Sequence, residues 1–148
     1  MAWLVTGLFL VVAFSVWGIL VYRQHPKDSV SVVDPGDDAF DFFGHISIKI
    51  RGINKYSADE DTTKGFIIAE LHNEHDPYAI VIVDRKLDII GYVPRGNKEL
   101  HRLLIEKHNR YLPVKVDIRN MGDYRQGIIN LDDGAYPELM EIDIKNGF

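Results

Sequence analysis

The chain has 148 residues, 46% of them apolar and 26% charged, a composition typical of a folded domain rather than of a disordered chain. The absence of cysteine excludes disulfides, thiolate zinc sites and a cysteine nucleophile. The formal net charge of −5 argues against general nucleic-acid adhesion, which needs a basic protein, but allows a local basic surface. The length allows one domain with short attachments.

The N-terminal region is predicted to be a membrane anchor. Residues 2–22 contain no charged side chain and no proline, and at about 1.5 Å per residue they form a helix of about 31 Å, enough for a bilayer core of about 30 Å. Because no basic side chain precedes this run, we predict an uncleaved transmembrane anchor over 1–23 rather than a cleaved signal peptide. Arg23 and Lys27 follow it, so the positive-inside rule predicts a single-pass protein with its domain on the cytoplasmic side.

Residues 24–43 are predicted to be an acidic flexible tether. Five acids and no base lie between Asp28 and Phe43, and proline and glycine interrupt the segment, so it holds too little apolar surface to order itself. Phe40, Phe42 and Phe43 have two interpretations, an edge of the domain core and a partner-binding patch. We favour the core edge, because apolar side chains are usually buried.

The domain is predicted to span 44–148, and it begins with a strand. HISIKIR at 45–51 alternates isoleucine with polar residues, which is typical of a strand with one wet face. The Gly-rich stretch 122–137 is predicted to be a hairpin or an irregular lobe. Further strands are predicted over 65–72, 79–84, 87–93, 113–119 and 138–145, with a hairpin turn at 84–86.

One amphipathic helix is predicted over 95–110, after Pro94 ends the preceding strand. Its outer face has a net charge of +3, and we expect Arg95, Lys98 and Arg102 on this face to guide a polyanion. Short strands around one helix predict an α+β, mainly β fold, a small OB-like barrel of five or six strands, because closure removes exposed edges. The predicted core comprises Ile48, Ile50, Ile68, Ile80, Ile82, Ile90, Leu103 and Val116.

No motif in the sequence indicates catalysis. The chain lacks a nucleophile elbow, a phosphate-binding P-loop and a dinucleotide-binding glycine set. His72 and His75 have a spacing that reaches one metal ion, but no third ligand has an obvious place, so a solvated loop is the favoured interpretation. We therefore predict a binding protein rather than an enzyme, with no catalytic residue, no metal and no cofactor.

Two motifs carry a resemblance to a known family. NEHDPYAIVIV at 73–83, followed by IGYVP at 90–94 and a helix ending in leucines, resembles the HIRAN domain, and the likeness covers about residues 45–119. The residues that match the family pattern are Asp76, Ala79, Ile80, Gly91 and Tyr92. The resemblance implies a modified OB-like barrel that, in helicase-fused members, binds the 3′ end of single-stranded DNA.

The resemblance also implies a set of ligand-binding residues. Asp76 falls on the family's carboxylate, and Tyr56 lies where the family has aromatic residues. Asn54 and Lys55 stand where DNA-binding members have a basic residue and an aromatic one. Two positions depart from the pattern, since His75 replaces an aromatic residue and Tyr78 replaces an asparagine, which puts the identity of the ligand in doubt.

Two functions are compatible with the sequence. One is a membrane-anchored module for single-stranded nucleic acid or a DNA end, and the other is a membrane-tethered module that binds a protein or peptide. The loop at 72–78 is central to both, and we favour a ligand site there over the alternative that Asp76 only caps the turn before a buried strand.

Overall fold

The computed structural model describes residues 30–58 and 60–148, together with the backbone of Ile19–Val21. The elements are β1 (Ile19–Val21), β2 (Ser31–Val33), β3 (Ile46–Lys49), β4 (Lys64–Ala69), β5 (Ile80–Asp84), β6 (Ile89–Tyr92), α1 (Lys98–Lys107), β7 (Tyr111–Asn120) and β8 (Arg125–Leu131). Single 3-10 turns cover Asp37–Phe40, Ile53–Lys55 and Pro137–Glu141. Strands β1 and β2 form an antiparallel pair, and the other six form one antiparallel sheet in the order β3-β8-β7-β4-β5-β6.

The six-stranded sheet curls until its two edges meet. Arg51, just beyond β3, forms an isolated bridge with Tyr92 of β6, with N···O distances of 2.8 and 2.9 Å in the two directions. The sheet is therefore a half-barrel that is closed at one place. This architecture, with one α-helix among the described residues, confirms the prediction of a mainly β, barrel-like domain of five or six strands.

The main core fills the inside of the curled sheet. Helix α1 contributes Leu100, Leu103 and Leu104 to it, so the predicted amphipathic face is correct although the helix begins at Lys98 rather than at residue 95. All eight residues predicted for the core are buried. Ile68 differs from the other seven because it lies in a second cluster on the outer face of the sheet.

A second core explains why β5 is apolar without alternation. Ile80 and Ile82 point into the main core, whereas Val81 and Val83 belong to the outer cluster. A strand covered on both faces has no wet side and therefore reads as a continuous apolar run. The cover comes from residues 30–42, which contribute Val30, Val32 and Phe40 to the outer cluster.

Residues 30–42, here called the strap, lie within the segment predicted to be a flexible tether, and they are packed on the sheet. Arg85 holds the strap by ion pairs to Asp34 at 2.6 Å and to Asp37 at 2.7 Å, and Lys64 also pairs with Asp37. The Arg85 pairing lowers the pKa of Asp34, and Lys64, followed by Arg85, lowers the pKa of Asp37. Two of the acids that indicated disorder, Asp34 and Asp37, have basic partners far along the chain, which a local composition does not reveal.

The three phenylalanines at this segment divide between the two interpretations. Phe40 and Phe42 are buried, which confirms the core-edge interpretation for both. Phe43 is 91% exposed, and Lys115 Nζ lies 5.6 Å from its ring centroid.

The predicted strand at 138–145 is wrong. Pro137 begins a 3-10 turn that buries Leu139, and the chain beyond it is extended but joins no sheet. The alternating Ile142 and Ile144, which suggested the strand, both pack against the main core. The strand that completes the sheet is β8, which lies inside the stretch predicted to be a hairpin or lobe and pairs with both β3 and β7.

The predicted membrane anchor lies mostly outside the described residues. At its C-terminal end, Ile19–Val21 form a strand paired with Ser31–Val33 instead of a helical turn. Within 30–58 and 60–148, no helix combines the length and the apolarity needed to cross a bilayer. Residues 24–29 of the predicted tether also lie outside the described residues.

Removal of the Phe40 ring should destabilise the domain. The ring is 2% exposed and meets Phe66 edge-on with 5.8 Å between centroids, so Phe40→Ala should lower the free energy of unfolding by about 3 to 5 kcal/mol. Phe43→Ala is the matched control, because an exposed ring should change it by no more than about 0.5 kcal/mol. Urea denaturation of both variants tests this, and equal effects would mean that the strap does not cover the sheet.

Candidate ligand-binding cleft

A cleft of about 700 Å³ opens where the two edges of the sheet meet. It lies beside the Arg51–Tyr92 bridge, between the loop that follows β3, the loop that precedes β5 and the turn that follows β6. The lining residues are Arg51, Gly52, Lys55, Tyr56, Asn73, His75, Asp76, Ala79, Tyr92, Val93, Pro94 and Arg95. Five of the nine residues predicted for ligand binding or phosphate guidance line this cleft: Lys55, Tyr56, His75, Asp76 and Arg95.

The loop after β3 is fixed by contacts with the main core and with β8. Ile53 is buried in the main core and fixes the 3-10 turn that carries Lys55. The guanidinium of Arg125, on β8, donates hydrogen bonds to the backbone carbonyls of Ile53, Tyr56 and Ala58. One arginine therefore holds three successive points of the loop and determines where Lys55 and Tyr56 lie in the cleft.

Asn54 belongs to this support and does not line the cleft. Its side-chain oxygen accepts a hydrogen bond from the backbone N–H of Arg125 at 2.8 Å. A neighbouring smaller hollow contains Asn54 together with the turn between β7 and β8. Successive side chains of a 3-10 turn point about 120° apart, which is why Lys55 and Asn54 face different directions.

The loop before β5 is a series of capped turns. Asn73 accepts hydrogen bonds from the backbone N–H groups of His75 and Asp76, and it donates to the Glu70 carboxylate at 2.7 Å. Asp76 Oδ1 accepts the N–H of Tyr78 at 2.9 Å, the geometry of an Asx turn. The capping interpretation of Asp76 is therefore correct for one oxygen, and the residue also lines the cleft, where its second oxygen has no hydrogen-bond partner among the described residues.

Two tyrosines form the aromatic part of the cleft. The rings of Tyr56 and Tyr92 are 6.4 Å apart between centroids and are inclined by 48°. Burial, followed by the nearby charge of Glu70, raises the pKa of the Tyr92 hydroxyl far above its usual value, so Tyr92 remains neutral. Glu70 is 2% exposed, and it joins Tyr92 to the Asn73 turn beneath the cleft.

The cleft has uncompensated positive charge. Arg51, Lys55 and Arg95 all line it, and none has an acidic partner within 4.0 Å among the described residues, whereas Lys64, Arg85 and Arg119 elsewhere are all paired. Asp76 is the carboxylate at the cleft wall. An anionic ligand with a planar group would satisfy both the cations and the tyrosine rings.

Tyr78, Lys98 and Arg102 lie outside the cleft. The ring of Tyr78 packs edge-on against His101, and Lys98 Nζ lies 5.2 Å from the Tyr78 centroid. Arg102 is exposed on α1. Arg95 is separated from this helical face because it lies in the turn before α1, which places it in the cleft instead.

Sequence reasoning missed seven of the twelve lining residues, and three of these, Arg51, Asn73 and Tyr92, have polar or aromatic side chains. Arg51 was interpreted as one polar position in an alternating strand, and Asn73 as part of a solvated loop, although Asn73 begins the motif at 73–83 that carries the HIRAN resemblance. Tyr92 was noted as a match to the family pattern but not as a ligand residue. The signal that could have found them is the family resemblance itself, since all three lie within the stretch that it covers.

The described part of the chain offers no group of three or more His, Asp or Glu side chains that could hold a metal ion. His75, one of the two histidines whose spacing would reach a metal ion, is exposed, and its backbone N–H donates a hydrogen bond to Asn73.

Loss of the Arg125 guanidinium should loosen the loop that carries Tyr56. Arg125→Met should increase hydrogen exchange at the amides of Lys55 and Tyr56, because their turn loses its three carbonyl contacts. Arg119→Met is the control, since Arg119 is exposed on β7 and pairs only with Asp117. Unchanged exchange in Arg125→Met would mean that Ile53 alone holds the loop.

Comparison with models of protein families, with curated proteins and with solved structures finds no match to this chain. The HIRAN resemblance therefore remains an expectation drawn from two motifs. The half-barrel and the cleft are features of the structure and do not depend on this resemblance.

Proposed function

We propose that the cleft binds single-stranded nucleic acid, and that the chain is a non-catalytic, membrane-anchored binding module for such strands or for DNA ends. The observation that carries this proposal is the combination of three cations that have no acidic partner within the described part of the chain, Arg51, Lys55 and Arg95, with the tilted ring pair of Tyr56 and Tyr92. Single-stranded nucleic acid presents the complementary groups, phosphates and stacking bases, in regular alternation.

The magnitudes favour this ligand over a simple anion. Each base that stacks on an aromatic ring contributes about 1 to 3 kcal/mol, and each phosphate contact adds a salt-dependent term through counterion release. The net charge of −5 does not oppose this, because the acidic strap lies on the outer face of the sheet, where Asp34 and Asp37 are paired with Arg85 and Lys64. Lys98 and Arg102 on α1 provide further positive charge for the approach of the strand.

Asp76 supports recognition of a strand end. One of its oxygens caps the turn before β5, and the other is left to accept a hydrogen bond from a ligand. A terminal 3′-hydroxyl is a donor that an internal phosphodiester lacks. The HIRAN resemblance implies the same role for this carboxylate.

The anchor supports a location at the membrane. Residues 2–22 have the apolarity of a single span, and the part of this run ahead of the paired strand Ile19–Val21 is about as long as the shortest membrane spans. Because Ile19–Val21 pair with the strap, the span would hold the cleft near the cytoplasmic surface.

A second candidate function is a tethered module for protein or peptide binding. The 91% exposure of Phe43, beside buried Phe42, favours it, since a large exposed aromatic side chain is a typical contact residue. Salt distinguishes the two functions, because an apolar contact does not release counterions.

Binding should be strong at low salt and should weaken as salt rises. Fluorescence anisotropy of the full chain in detergent micelles, with single-stranded oligonucleotides that carry free or blocked 3′ ends, measures this at two salt concentrations. Tyr56→Ala should cost about 1 to 3 kcal/mol of binding free energy through lost stacking. If no oligonucleotide binds at low salt, the nucleic-acid function fails and the protein-binding function replaces it.

Asp76→Asn should abolish the preference for a free 3′-hydroxyl while general binding remains. Asparagine keeps the oxygen that caps Tyr78 N–H but replaces the second acceptor with a donor. Arg95→Ala should instead weaken all sequences alike and flatten the salt dependence, and Arg119→Ala is its control outside the cleft. An Asp76→Asn variant that still prefers free ends would contradict the role of the carboxylate.

The anchor predicts a defined topology. A reporter that is active only in the cytoplasm should be active when fused after Phe148, which is 70% exposed. A silent cytoplasmic reporter together with an active exported one would reverse the predicted orientation.

A further inference from the structure

The segment 142–148 passes beside the cleft and is fixed on two sides. On one side, the buried side chain of Asn97 binds both backbone groups of Lys145, accepting its N–H at 2.8 Å and donating to its carbonyl at 3.0 Å. On the other side, the backbone N–H of Lys49 donates to the carbonyl of Asn146 at 2.8 Å. The segment is therefore fixed in place between the start of α1 and the end of β3.

Gly147 is the point where this segment touches the cleft wall. Its carbonyl accepts a hydrogen bond from Arg51 Nη2 at 3.0 Å. A Cβ at Gly147 would lie 2.7 Å from Pro94 Cγ and 3.2 Å from Arg51 Nη2, and its φ of +78° is a conformation that other residues rarely adopt. The guanidinium thus lies directly against the backbone of Gly147, and no larger residue fits between it and Pro94.

Arg51 is held at both ends. Its backbone forms the two hydrogen bonds of the bridge to Tyr92, and its guanidinium is bound to Gly147. The Gly147 carbonyl is a neutral partner, so it orients the Arg51 guanidinium without cancelling its positive charge. Within the described residues no carboxylate pairs with Arg51, which leaves the remaining N–H groups of the planar fork for a ligand.

We infer that Gly147 is a positioning residue and that the segment 142–148 is part of the binding site, where it sets Arg51 as the group that binds a phosphate. A fixed guanidinium fork binds phosphate oxygens through two parallel hydrogen bonds and loses little side-chain entropy when it does so. The identity of the phosphate ligand as nucleic acid rests on the proposed function, but the positioning of Arg51 does not.

A double-mutant cycle tests this inference in the full chain, in detergent micelles, with a fluorescent single-stranded oligonucleotide. Gly147→Ala should weaken binding about 3- to 10-fold, and Arg51→Ala about tenfold or more. In the Arg51→Ala background, Gly147→Ala should change the affinity less than about twofold, because its effect acts through Arg51. Equal weakening in both backgrounds would overturn the inference.

Gly122→Ala is the matched control. Gly122 also has a positive φ, +89°, but nothing lies within 4 Å of its added Cβ, and it lies outside the cleft, in the turn between β7 and β8. The Gly122→Ala variant has the same kind of backbone strain as Gly147→Ala but no clash of the added Cβ with a neighbour, so its binding affinity should change less than about twofold. Comparable weakening in both glycine variants would attribute the effect to general strain and would overturn the inference.

Arg51→Lys keeps the test decisive if Gly147→Ala does not fold. Lysine keeps the charge but has no planar fork, so it should bind about as weakly as alanine, within about threefold. Wild-type affinity in Arg51→Lys would show that charge alone matters, and the positioning role of Gly147 would be wrong.

A second measurement uses inorganic phosphate as the probe and does not depend on nucleic acid. The NMR signal of Arg51 Nε–H should shift on addition of phosphate to the wild-type chain, and the shift should be lost or much reduced in Gly147→Ala. If this occurs but no oligonucleotide binds, the inference stands and the proposed function fails. If phosphate does not shift the wild-type signal, or shifts both signals equally, the inference is overturned.

Discussion

The bridge between Arg51 and Tyr92 is the constraint on which the cleft depends. It joins the two edges of a sheet that would otherwise remain open, and so brings the loop after β3 against the turn after β6. Gly91 makes this approach possible, since a Cβ there would lie 2.5 Å from Ile50 Cγ2 and 2.6 Å from the Arg51 carbonyl oxygen. A larger residue at this position would push the edges apart, and the lining residues would separate.

The sheet is stabilised on both faces, and the two covers have different chemistry. The inner face is covered by α1 and the segment 137–144, mainly through apolar contacts. The outer face is covered by the strap, where ion pairs of Arg85 and Lys64 surround the apolar contacts of Phe40. Partly exposed ion pairs contribute little free energy, so burial of the apolar side chains is the main stabilising term and the charges mainly determine where the strap lies.

Several residues around the cleft serve the fold and the site together. Asp76 caps a turn with one oxygen, Asn73 holds two backbone N–H groups of the same loop, and Arg125 holds the loop opposite. Because these polar groups are already satisfied by the protein, the loops are set before a ligand arrives, which reduces the entropy lost on binding. Among the described residues, the groups of the cleft that keep no partner of opposite charge are Arg51, Lys55 and Arg95, and one oxygen of Asp76 accepts no hydrogen bond.

The sequence alone determined the local features of this protein. Period-two patterns located β3 and β7, short apolar runs between turn residues located β4, β5 and β6, the spacing of three leucines located α1, and the motif at 73–83 identified one wall of the cleft. Such features depend on neighbours in the chain, so a local pattern is enough to find them. Only the tertiary structure decided which strands pair, that Arg85 binds the acidic strap, that β8 lies between β3 and β7, and that Gly147 meets Arg51. The contacts of Arg85 with Asp34, of β3 with β8 and of Gly147 with Arg51 join residues from about 50 to nearly 100 positions apart. They form because closing the sheet brings distant backbone edges together, which no periodicity in the sequence encodes.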